Sequence, residues 1–163
     1  MATKTDFTPE AWQAILDAPA TVAQLVVTAS FGPGDLLKEM KALSDQMQKL
    51  VREPGDQPLL QALAVDIKAQ MESHKVTSSP SSQEKEDAAV AKAKAMATLT
   101  AAVTAVDATA TPEEAAQLKQ WLYGIGDAVS KAAKEGDMFG FGGTQVSDAE
   151  TAVLAKINTA LGV

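Results

Sequence analysis

The pattern of apolar positions is helical along most of the chain. Leu36, Met40, Leu43, Met47 and Leu50 alternate steps of four and three, and Leu60, Ala64, Ile67, Met71 and His74 repeat the rhythm. Leu118, Leu122, Ile125, Val129 and Ala132 form a third such seam, and Ala149, Val153, Ile157 and Leu161 form the inner row of a last helix. Seams of this kind pack helices against one another at small crossing angles. They predict an all-α fold, a single-domain bundle of five or six helices over residues 1–163.

Helix ends are written in the same sequence. Thr8-Pro9-Glu10 reads as a cap, a proline at the first helical position and an acid suited to the dipole. Pro19 predicts an interruption, with Asp17 recapping after a kink, because the residue before a proline is disfavoured in the helical region. Val22, Leu25, Val26 and Ala29 continue the inward stripe as far as Ser30-Phe-Gly-Pro-Gly34. Asp35 is expected to cap the second helix and Asp56 the third, with Pro58 in its first turn. A long helix from about Glu84 to Asp107 should bury Ala89, Ala93, Met96, Leu99, Val103 and Val106, leaving Lys92 and Lys94 in solvent. Thr111-Pro-Glu-Glu114 and Ser147-Asp-Ala-Glu150 are capping boxes, and Gly136 is placed to close the helix between them. Residues 77–83, polar and proline-containing, read as a loop inside one domain. The two ends of the chain also rhyme. Thr8-Pro-Glu precedes Trp12 and Thr111-Pro-Glu precedes Trp121; Phe31-Gly32 and Phe139-Gly140 follow, then helices with Glu39 and Glu150 in their early turns. An internally duplicated helical hairpin is an architecture this pattern allows.

Composition narrows the function more than it defines it. Hydrophobic residues make up 46% and aromatics only 4%, so alanine and aliphatic side chains must build the core. The net charge is −7, shared almost evenly as −3 over residues 1–83 and −4 over 84–163, which argues against nucleic acid or an anionic membrane as partner. There is no cysteine, which removes disulfides, thiolate catalysis and cysteine metal sites and fits a cytoplasmic location. The first residues lack the apolar run of a signal peptide, and no stretch reaches the roughly 18 uninterrupted apolar residues expected of a membrane span.

Candidate chemistry is sparse. His74 is the single histidine, too few for a zinc site, and reads as a helix C-terminal residue. Asp137, Asp148 and Glu150 gather around one loop but lack the calcium-loop pattern, so no metal site and no cofactor is expected. Gly140, Gly142 and Gly143 precede a helix without the Lys-Ser or Lys-Thr of a phosphate loop and without a preceding strand. No serine sits in a nucleophile elbow, and no catalytic residue is assigned. Met40, Met47, Met71 and Met96 lie on seams, where they fill a core. The one candidate working surface is the loop from Gly136 to Ser147, where aromatics and glycines interleave. Met138, Phe139 and Phe141 are its candidate partner-binding residues, since an extended backbone would direct both rings to one face.

This tail, with Ala-Ala-Lys-Glu-Gly136, Phe139-Gly-Phe-Gly-Gly143 and Val146-Ser-x-x-Glu150, resembles small all-helical bacterial proteins of unassigned activity. A glycine loop before an acidic helix start is also loosely similar to tellurite-resistance TerB-like helical domains, whose aspartate-rich loops are thought to bind metal. Here Phe139 and Phe141 stand in place of that acidic pattern, so the resemblance implies no metal site. The leading expectation is a non-enzymatic helical protein that contacts another protein or itself. The alternative is a small-molecule or lipid-binding bundle with a pocket lined by methionine, Trp121 and Tyr123.

Overall fold

The structure is a computed structural model that describes residues 1–29, 36–74, 88–134 and 148–163. It is all-α. After a short 3₁₀ turn at Lys4–Asp6 come α1 (Pro9–Val27), α2 (Leu36–Arg52), α3 (Pro58–His74), α4 (Ala88–Thr109), α5 (Pro112–Lys134) and α6 (Asp148–Leu161), with no strand among the described residues. Helices α1 and α5 are central: α1 packs on α4 and α5, while α5 also carries α2 and α6 on its flanks. The core between them is aliphatic, with Ile15, Leu25, Leu59, Leu63, Ile67, Leu99, Leu122, Ile125, Ile157 and Leu161 fully enclosed.

Helix α1 begins as its sequence predicts. Thr8 accepts the Ala11 N–H through Oγ1 at 3.2 Å, with Pro9 at the first helical position. Pro19 does not interrupt it: one helix runs through from Pro9 to Val27. The proline forfeits one helical N–H, but Ile15, Leu16, Ala18, Pro19 and Val22 are all buried, and that packing holds the two halves in line. Asp17 therefore does not recap. Its carbonyl oxygen instead accepts the Thr21 hydroxyl at 2.9 Å.

Other boundaries and faces move. Helix α3 takes its first helical bond at the Gln57 carbonyl, so Gln57, not Asp56, is its cap. Its buried stripe widens to include Leu59 and Leu63. At the start of α2, Glu39 is buried while the expected seam residues Leu36 and Met40 are exposed; Leu50, at the other end, is buried as expected. In α4 the buried line is Ala95, Leu99, Ala102 and Val106, whereas Ala89 and Ala93 face outward and Met96 and Val103 are half-buried. In α6, Ala149 is exposed and Glu150 lies buried beside the row of Val153, Ile157 and Leu161. The seam of α5 stands as written, Leu118 through Val129 buried and Ala132 half-buried. Asp35, Gly136, Ser147 and residues 77–83 lie outside the described residues.

Where α1, α5 and α6 meet, Gly126 sets the spacing. A Cβ built there would lie 3.2 Å from Val22 Cγ1 and 3.3 Å from Leu154 Cδ2. Glycine thus brings the three helices closer than alanine would at this height. A crevice between α1, α4 and α5, lined in part by Ala18, Val103 and Leu122, is too narrow to admit water.

Candidate interaction surface

The residues first placed at a working surface, Met138, Phe139 and Phe141, lie outside the described residues. Trp121 and Tyr123, expected to line a pocket, are both half-buried on α5. Tyr123 borders a shallow groove with Leu154 and Asn158 of α6, open to solvent rather than enclosed in the core. His74 is the last residue of α3. Among the described residues no three of His, Asp and Glu gather into a group suited to a metal ion.

The outward side of α4 is different in kind. Alanine occurs on every side of this helix, and a helix with apolar residues all round is normally covered all round. The segment Ala89–Thr109 is long and apolar enough to cross a membrane by length and composition, yet only 22% of its most apolar window is buried. Ala95, Leu99, Ala102 and Val106 hold one side against the bundle. On the opposite side Ala93, Ala97, Thr100, Ala101, Thr104 and Ala108 are all exposed, and Val90 is 46% exposed. At about 100° per residue these seven positions fall within one sector of the helix surface. Thr100 keeps its hydroxyl turned to its own helix, donating to the Met96 carbonyl at 2.8 Å, which lowers the polarity the face presents. Lys94, which is exposed, and Asp107, paired with Lys119 at 2.6 Å, stand at its two edges, while Lys92 is half-buried nearer the packed side. A smaller apolar patch, Leu36, Leu37 and Met40, opens at the first turns of α2.

Two buried or half-buried carboxylates form a second feature, one that sequence reasoning missed. The Thr111 capping box forms as expected, Thr111 Oγ1 accepting the Glu114 N–H at 3.3 Å and the Glu114 carboxylate accepting the Thr111 N–H at 3.0 Å. But Glu114 also accepts the Ala2 N–H on both oxygens, at 3.0 and 3.1 Å, and is only 1% exposed. Burial works against its charge. The N–H groups of Thr111 and Ala2 outweigh that, so its pKa lies below the ordinary 4.5. Two residues after Ala2, Lys4 reaches α3, where Asp66 accepts Lys4 Nζ at 2.6 Å and Trp12 Nε1 at 2.7 Å on one oxygen. The Lys4 contact lowers its pKa most; burial opposes that, and the indole N–H adds a smaller lowering. Phe7 is buried with its ring 5.6 Å from that of Trp12. Residues 2–7 are thereby strapped across the bundle from α5 to α3. Helix periodicity carries no signal for such a strap; the lone Phe7 ahead of a capped helix was the available clue.

No protein-family model, no curated protein and no solved structure matches this chain.

Proposed function

We propose that this is a non-enzymatic cytoplasmic protein that works by helix-mediated contact with another protein chain. The observation that carries the reading is the outward side of α4, an apolar helix face that no described part of the chain covers. Exposed contiguous apolar surface on a folded domain is the usual mark of an interaction site. Glu114, a carboxylate that the fold buries, is engaged in holding the Ala2 and Thr111 N–H groups, which is structural employment.

The deciding experiment is affinity capture by the purified protein and by its Ala97→Glu, Thr104→Glu variant. Binding that the double variant loses, with circular dichroism unchanged, supports the reading. Equal binding by both proteins removes α4 as the working surface. The alternative, a small-molecule or lipid-binding bundle, draws support from the Tyr123–Asn158 groove alone. A rise in melting temperature with fatty acids that Tyr123→Ala abolishes would favour it.

A further inference from the structure

We propose that the Met1–Ala2 peptide bond is a processing site, and that the amine its hydrolysis frees docks on Glu114 as an ammonium ion. Two independent observations point there.

The first is where burial begins. Met1 is 89% exposed, whereas Ala2 is only 3% exposed. The fold thus uses the chain from Ala2 onward, and removing Met1 uncovers none of the core.

The second is how Glu114 is held. Both its oxygens lie against the Ala2 nitrogen, at 3.0 and 3.1 Å. A peptide N–H has one hydrogen to divide between them. An ammonium nitrogen at the same point has one for each, and a third for water in the direction now taken by Met1. Thr111 gives Glu114 a further N–H at 3.0 Å. These donors are neutral, and among the described residues no lysine, arginine or histidine pairs with Glu114. A charge that a fold takes out of water is normally paired. An α-amine, with an ordinary pKa of about 7.7–8.0, is cationic at pH 7. Glu114 is already desolvated and the ammonium keeps one hydrogen in water, so the pair gains attraction for little further desolvation.

Hydrolysis breaks the bond between the Met1 carbonyl carbon and the Ala2 nitrogen. Water gives its oxygen to that carbon, and both its hydrogens end on the nitrogen, leaving a carboxylate and an ammonium. This is the reaction of an aminopeptidase that takes methionine and requires a small side chain after it, as alanine is. Folding buries Ala2 and engages its N–H, so cleavage comes before residues 2–7 dock.

Expressed from Met1, the protein should emerge lighter by one methionine residue in its intact mass. An acylating reagent at pH 7 labels α-amines ahead of lysines. It should modify the Ala2 amine at least about tenfold more slowly than the same amine in a peptide of the first residues. Glu114→Gln should abolish that protection. A chain that keeps Met1, made with the aminopeptidase inhibited, should react at the peptide's rate and unfold at a lower urea midpoint. With Glu114→Gln in both chains the two midpoints should coincide. Met1 retained in the expressed protein would overturn the processing. An Ala2 amine that reacts at the peptide's rate, or a gap between midpoints that Glu114→Gln leaves unchanged, would overturn the docking.

Discussion

Glu114 shows how one residue can serve two parts of a fold. As the fourth residue of Thr111-Pro-Glu-Glu it closes a capping box, and its second task, holding Ala2, depends on where the chain's first residues run. The first task was legible because a capping box is local; the second was not, because its partner lies 112 positions away. Glu114→Gln keeps the size but removes the charge and one acceptor, leaving donors without their carboxylate. The expected loss is about 1–3 kcal/mol at pH 7. Because the folded pKa lies below the ordinary 4.5, ionisation favours the fold. The contribution is complete above the unfolded value and fades as pH falls through the folded one. The gap between native and Glu114→Gln urea midpoints should therefore be widest near neutrality and shrink below about pH 4.5. A gap that stayed constant down to strongly acidic pH would show that the carboxylate's charge is not what holds the strap.

At the scale of elements, legibility followed residue size. The seam of α5 was assigned to the right side because leucine, isoleucine and valine mark one face and polar groups the other. The face of α4 was misassigned because alanine occurs on all its sides and carries too little apolar area to set a phase. Leu99 and Val106 were the only large residues of α4 that the core wholly encloses. The first turn of α2 failed for a different reason: its spacing was right, but the helix turns Glu39 inward there. Helix contacts also make a paired prediction about glycine. Both Gly124 and Gly126 lie inside α5, and alanine is intrinsically the better helix former by roughly 0.5–1 kcal/mol. At Gly124 nothing lies within 4 Å of the added Cβ, so Gly124→Ala should stabilise by about that amount. At Gly126 the new methyl meets Val22 and Leu154, and overpacking of about 1–3 kcal/mol should outweigh the gain. Thermal melts of the two variants should move in opposite directions; a stabilised Gly126→Ala would mean that α1 and α6 yield easily at this crossing.

For the whole molecule, the all-α class and the helix order were readable from periodicity and caps, whereas the tertiary tie across the bundle was not. Residues 2–7 join α5 at Glu114 to α3 at Asp66, so the strap's two anchors sit on different helices. If the strap docks as one unit, releasing either end loosens the other, and the second loss then costs less than it would alone. Asp66→Asn tests the far anchor cleanly, because asparagine still offers an oxygen to the Trp12 indole while giving up the charge that holds Lys4. Independent sites add to within about 0.5 kcal/mol. The expected result is that Asp66→Asn with Glu114→Gln loses less stability than the two single changes together, by more than that margin. The surface pair Lys41–Asp45, on α2, supplies the control: Asp45→Asn with Glu114→Gln should be additive. Urea denaturation of the four proteins in each cycle measures both couplings. Strict additivity in the first cycle would mean that Ala2 and Lys4 are anchored separately, so that the segment between them carries no tension from one helix to the other.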